Sequence, residues 1–574
     1  MVSVWFIFTI VWIQCSFVEN KTFLVSNYGA YPNDGLDDAN AIQLGINEAI
    51  KYGSVSDIVF GYGTYDVSSV ITINDAKNLT ITGQGIDKTF IIGHDSIGIF
   101  VALFSQGVKI TAFSIDFDPL PFTAGYVVDV NDQYLDVQVV PPHQTDVGRQ
   151  VMAILRYDPV QMRPAFGSQT YEIYQHPSPN DTNTTIVSPG ILRLPLLKTT
   201  QFQKGDPVVA RYVATRNCLD AQFTTDITIE SINIYTSWSM GFLTMGVRRA
   251  TIKDYHVIPR NGRWMSSIID CIHFSDAREY VSISDSTCQG MGDDGLNVHA
   301  VLFLVTSVIN STTIMIESVT GSGPMDLGIG THLEFSSSQQ PFTVYGNGTI
   351  ASMKFNSANT RIITFTNPVN ISIKDWVCVG DTPILTVRNF TVSHNRARGV
   401  LLETRNIDVR QSVFNRTSGP AVLIQPSLFW HEGPDARNVT LSENLYIENN
   451  EGIAQEKGII SILPFPIQSV TVINGIRIES STFYMGNYSR DFLQSDNGNN
   501  IFITGNYIAT NNSSPIISIC NSRNISAENN CVRNDQSKID TYYTFDQNNP
   551  CSNTSSSLIN LPVSAFNSSF PPPV

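Results

Sequence analysis

Two short segments concentrate acids that can act together: Ile268-Ile-Asp270-Cys-Ile-His273 and Gly290-Met-Gly-Asp293-Asp294-Gly-Leu-Asn297-Val-His299. Asp270 and Asp293 stand 23 residues apart, about one turn of a β-solenoid, and that interval stacks side chains on neighbouring rungs. Gly292 and Gly295 flank the acid pair and ease a departure from strand geometry, so Asp294 can join the other two. Three converging carboxylates repel one another and push one carboxyl toward its protonated form. Glycoside hydrolysis uses this: one carboxylic acid protonates the leaving oxygen while an ionised partner attacks the sugar or activates a water. A turn-capping Asp-Asp pair is the plainer alternative, and the one-coil spacing weighs against it. His273, three positions after Asp270, is suited to orient it by a hydrogen bond or to lie in the core.

Positioning such acids requires regular coils, and the chain supplies the pattern. An Asn or Asp precedes an alternating apolar run at Asn78, Asp226, Asn406, Asn438, Asn500 and Asn524, with spacings that drift around 24 to 32 residues where the pattern is unbroken. Turn signals follow, as at Gly399, Gly419 and Gly452. A single coil cannot bury its own apolar face, whereas stacked coils bury a continuous Ile/Val/Leu column. With 574 residues, 42% hydrophobic and 15% charged, the expected fold is all-β: a right-handed parallel β-helix. Coils are expected over residues 20–118, 212–298 (the catalytic coils) and 384–550, with a tail over 551–574. Residues 119–211 and 299–383 break the rhythm and predict two inserted small β-barrels that wall a cleft. Asp37 or Asp38, followed by Ala41, Ile42, Leu44, Ile46, Ala49 and Ile50, predicts an N-capped amphipathic helix closing the solenoid end.

The apolar run within residues 1–16 fits a signal peptide and is too short to span a bilayer. Sixteen Asn-x-Ser/Thr sequons, among them Asn78, Asn183, Asn310, Asn389, Asn438 and Asn567, agree with a secreted or lumenal glycoprotein. Loss of Cys15 with the signal leaves seven cysteines and so at least one unpaired thiol. Cys271 and Cys288 read as small buried apolar residues, while Cys520, Cys531 and Cys551 offer one disulfide. The absence of a Cys/His cluster argues for no metal, and nothing calls for another cofactor. A net charge of −15 excludes nucleic acid as a natural partner and disfavours a polyanionic substrate; nothing after Pro571-Pro572-Pro573 resembles a membrane anchor. Oligomeric state is left open.

The Asp270 segment together with Met291-Gly-Asp293-Asp294-Gly-Leu-Asn297-Val-His299 resembles the signature of the inverting α-1,3-galactosidases of glycoside hydrolase family 110. So do Asp116-Phe-Asp118-Pro-Leu-Pro-Phe-Thr, Arg398-Gly-Val-Leu-Leu-Glu403-Thr and Trp430-His-Glu432-Gly-Pro434, in the same order along most of the chain. The opening, Val25-Ser-Asn-Tyr-Gly-Ala and onward, is similar to the pectin-lyase-like β-helix enzymes. The resemblance implies Asp293 as general acid, with Asp270 and Asp294 holding and deprotonating the water. It also implies Asn297, His299, Glu403, Trp430 and Glu432 around a galactose, each of which has a packing alternative: Asn297 in an internal asparagine ladder, Glu403 as a solvated strand residue. Gly295-Leu296 within the motif departs from the family pattern and leaves fine substrate preference open. Polygalacturonases share a three-aspartate site on this architecture, but their N-T-D, G-H-G and R-I-K segments are missing here. A glycan-binding β-helix without activity has no need of three crowded aspartates.

Overall fold

The computed structural model describes residues 20–549 and 557–559, apart from 261, 320–326, 453–455, 490, 511–515 and 535–538. The expected signal segment and Cys551 lie outside the described residues. Among the described residues no helix is long and apolar enough to cross a membrane.

The backbone winds into a stack of coils whose strands pair in parallel with the coils before and after. Branched apolar side chains are in register from coil to coil, from Ile58 through Ile81, Ile110, Ile229, Ile252, Ile283, Val387 and Val409 to Ile503. All of these side chains are buried, so each coil covers the apolar face of the next. The repeated Asn or Asp has a backbone cause. Asn78, Asp226, Asn406, Asn438, Asn500 and Asn524 have φ between 52° and 58°, the left-handed region these side chains tolerate best after glycine.

The helix Ala39–Tyr52 packs on the first strands of the stack and buries Ala39, Ile42, Ile46 and Ala49. The Asp38 carboxylate does not cap this helix. It accepts the backbone N–H groups of Tyr31 at 3.0 Å and Asp66 at 3.3 Å, fastening the loop before the helix to the next coil. Burial raises its pKa to about 6. The Ala39 N–H is taken by Asp37 at 3.2 Å.

Two antiparallel insertions interrupt the coils. The second is a closed six-stranded barrel, from Phe303–Asn310 to Trp376–Val379, with its own core of Phe303, Ile316, Leu333 and Ile363. The first, from Phe122–Val130 to Pro207–Tyr212, is an open eight-stranded sheet rather than the expected barrel. Its outer strands Arg163–Pro164 and Thr185–Ser188 do not pair with each other. Instead Phe122, Leu155, Tyr157 and Val209 are covered by Trp264, Met265 and Ile268 of the β-helix.

A disulfide joins Cys271 to Cys288, correcting the expectation of two unbonded core cysteines. Their spacing of 17 residues is shorter than a coil, so the bond crosses the interior of one coil instead of linking stacked ones.

Candidate active site

The acids sit on one turn of the helix repeated over three coils. The Cys271 N–H donates to the Asp294 carbonyl at 2.9 Å and the Gly295 N–H to the Arg398 carbonyl at 3.0 Å, so Asp270, Asp294 and Arg398 occupy equivalent positions. Asp294, 24 residues on, is therefore the rung partner of Asp270, and Asp293 is the neighbour turned outward. Gly292 and Gly295 serve close approach rather than unusual dihedrals: a Cβ at Gly292 would lie 2.2 Å from the Ile268 carbonyl, and one at Gly295 2.5 Å from that of Gly399. The disulfide begins beside Asp270 and anchors this turn from within.

Asp270 is almost fully buried. Its Oδ1 accepts the Asp294 N–H at 2.9 Å and its Oδ2 meets His273 Nδ1 at 2.8 Å. Asp294 is buried as deeply and is held by Arg398, through the backbone N–H at 2.8 Å and Nη2 at 2.8 Å. Asp293 keeps 23% of its side chain exposed and has looser contacts, 3.5 Å from Arg396 Nη1 and 4.0 Å from Arg398 Nη1. One carboxylate oxygen of each aspartate lies within 4.8 Å of the others. Burial first, then the charge of Asp293, pushes the Asp270 carboxyl well above the usual carboxylate range. The same direction holds for Asp294, where burial outweighs the opposing pull of Arg398. Burial favours the neutral acid at both positions, and their closeness disfavours ionising the two together.

The following strands set the other predicted residues in register. His273 pairs across to Asn297, and Ser275 to His299, which pairs in turn to Glu403. His273 and His299 meet through their Nε2 atoms at 2.9 Å, and burial lowers the pKa of both rings. Asn297 lies between His273 and Leu401, away from the internal asparagine pair Asn506 and Asn530. Glu432 reaches in from an antiparallel strand beside Val301, 3.5 Å from His299 Nε2. Glu403 is wholly buried rather than solvated; burial, then Glu432, drives its carboxyl well above the usual range. Trp430 is on the turn before Glu432, 55% exposed, with its ring edge-on to Phe429. The structure thus brings eight of the nine predicted residues into two touching clusters, while Trp430 stands at the rim of this turn. His273, His299 and Glu432 also carry donor types found in cation sites, as do the three aspartates. Their mutual hydrogen bonds and Arg398 account for both groupings, and we assign a metal to neither.

Basic residues are the part that sequence reasoning missed. Arg396 and Arg398 stand one coil beyond the aspartates, across the second insertion. Arg211, from the inserted sheet, is completely buried; its Nη1 donates to the carbonyls of Ile268 at 2.9 Å and Gly292 at 2.6 Å, clamping both acid-bearing turns. A cavity of about 140 Å³ opens between this sheet and the coils, lined by Glu172, Arg396 and Arg398.

The parallel β-helix thus sets clustered carboxylates near a small cavity, an arrangement able to move protons to and from a bound substrate. No family model matches the chain. It is 24% identical over 504 residues to alpha-1,3-galactosidase A of Shewanella woodyi, covering 79% of this chain and 80% of that one. It is 24% identical over 548 residues to alpha-1,3-galactosidase B of Bacteroides thetaiotaomicron, covering 84% and 85%. Among solved structures, the family 28 exopolygalacturonase of Yersinia enterocolitica aligns with 90% of this chain and 75% of its own, at 9% identity and a TM-score of 0.47. The chain is a glycoside hydrolase of the parallel β-helix kind, with named α-1,3-galactosidases as its relatives.

Proposed function

We propose that this protein is a secreted α-1,3-galactosidase that removes terminal galactose from glycans with inversion of the anomeric centre. The carrying observation is the asymmetry among the three carboxylates. Asp293 is partly exposed and loosely paired, as suits a group that gives a proton to the leaving oxygen. Asp270 and Asp294 are buried and tied to each other, so that one accepts the proton of a water while the other holds that water in place. Asn297, His299, Glu403 and Glu432 supply the polar wall for the galactose hydroxyls, His273 fixes Asp270, and Trp430 offers an aromatic face at the rim. The names of the relatives support the substrate class.

One measurement favours a second reading. The carboxyls of an inverting pair stand about 6.5–9.5 Å apart, whereas one oxygen of each of the three acids lies within 4.8 Å of the others, nearer the roughly 5–5.5 Å of a retaining pair. Against retention, neither buried carboxylate is free to form a bond to the sugar without breaking its contact to Arg398 or His273. NMR of the anomeric proton in the first minutes of hydrolysis decides between them. β-Galactose from an α-1,3-galactoside is the expected first product; α-galactose would establish retention, and no galactose release would overturn the substrate assignment.

A further inference from the structure

The inserted sheet touches the acid machinery through a carboxylate that has no role in the scheme above. Glu172, on the short strand Glu172–Tyr174, accepts two hydrogen bonds from Arg396, from Nε at 2.9 Å and from Nη2. The remaining Nη1 faces Asp293 at 3.5 Å. The ring of Tyr174 lies against the same guanidinium, 5.0 Å from its centroid, and its hydroxyl accepts a hydrogen bond from Arg211 at 2.6 Å. Arg396 is thus shared between two carboxylates and makes its closer contacts to the one outside the reaction.

A proton donor held firmly by a guanidinium is held as a carboxylate, because an adjacent cation favours the ionised form. Asp293 is faced by Arg396 and Arg398 from the following coil, by Asp270 and His273 from the preceding one, and by its neighbour Asp294. Of the two cations, Arg398 is committed to Asp294 at 2.8 Å; Arg396 needs an equivalent counter-ion, and among the described residues the inserted sheet provides it through Glu172. We propose that Glu172 is a positioning residue of the reaction, directing Arg396 away from Asp293 and offsetting its charge so that Asp293 can carry a proton to the leaving group. The proposal rests on Asp293 as the donor, and it gives the insertion a part in catalysis rather than only in walling the cleft.

The test compares two leaving groups in the full chain. A sugar leaving group needs a proton, whereas a dinitrophenyl group departs without one. Glu172→Gln should lower kcat/KM on an α-1,3-linked galactobiose by about tenfold or more, and on dinitrophenyl α-galactoside by less than about threefold. The alkaline limb of its pH profile on the disaccharide should move to lower pH, and Glu172→Asp, which keeps the charge, should restore much of both. Equal losses on the two substrates with an unmoved limb would reduce Glu172 to a structural contact, and unchanged kinetics on both would remove it altogether. Asp293→Asn is measured alongside. If that variant loses both substrates equally, the donor assignment itself has failed, an outcome separable from failure of the Glu172 proposal.

Discussion

Replacing Arg398 by Met tests whether the acid cluster depends on its cation. Asp294 is 2% exposed and Arg398 24%, and they meet at 2.8 Å. Removing one partner of a buried pair costs about 3–5 kcal/mol, because the other charge is left uncompensated. The lower end applies here, since Arg398 is about a quarter exposed and its backbone N–H, which also holds Asp294, survives the substitution. The sign with pH follows from Asp294, whose folded-state pKa lies above its unfolded value. A carboxyl of this kind costs no stability at low pH, where both states are protonated, and costs progressively more as pH rises toward its folded pKa. Losing Arg398 raises that pKa further, so the deficit of Arg398→Met should be smaller at pH 4 than at pH 7.5, growing as pH rises through the wild-type folded pKa of Asp294. Guanidinium denaturation followed by tryptophan fluorescence at both pH values measures it. The double variant Asp294→Asn/Arg398→Met should regain most of the loss at pH 7.5 while remaining inactive. A single variant as stable as wild type at pH 7.5, or a double variant no better than the single, would refute the reasoning.

Asp293→Asn should leave the midpoint of unfolding unchanged within about 1 kcal/mol, since its ion-pair contacts are long, and should lower kcat on a sugar leaving group by roughly 10²–10⁴. More than about a tenth of the wild-type rate remaining would take Asp293 out of the donor role. Replacing Cys271 and Cys288 together by Ala should cost about 3 kcal/mol from the freedom regained by an unfolded loop of this length, read as a shift in the denaturation midpoint. An unshifted midpoint would show that stacking alone holds the Asp270 turn.

The coil architecture was legible because its cause is local. A left-handed residue before the strand runs favours Asn, Asp or Gly, which hold it on most coils although Arg249 and Glu279 hold it on two, and the alternation after it puts every second side chain into the shared core. Asp270 and the Asp293-Asp294 pair were legible for the same reason, being one uninterrupted coil apart. Arg398 occupies the equivalent position on the following coil, yet the second insertion separates it from Asp294 by 104 residues, and no spacing rule reaches across that distance. Arg211 and Glu172 were further out of reach, since their relation to the acids depends on how an inserted sheet docks. The first insertion looked like a closed barrel because alternation in its strands says nothing about whether its ends meet. Cys271 and Cys288 were misread because 17 residues is no multiple of a coil, and the interior of a single coil was not considered as a place for a bond.

The assembly of the cluster also bears on how the chain came to combine these parts. Three aspartates and two glutamates meet in a space largely closed to water, in a protein whose net charge is already −15. Coils alone supply Arg396 and Arg398 as counter-charges, and each is claimed by a carboxylate within 3 Å. The remaining excess is absorbed by protonation, with Asp270, Asp294 and Glu403 all pushed toward the neutral acid by burial. That leaves Asp293 as the most accessible acid of the cluster and the one with the loosest ion pairs, and its surroundings are set by the inserted sheet through Arg396 and Glu172. The buried acids hold their places by stacking, which any regular β-helix provides. Tuning the proton donor takes a contact from outside the stack, which is a physical reason for an insertion to enter two coils before Asp270 rather than elsewhere along the helix.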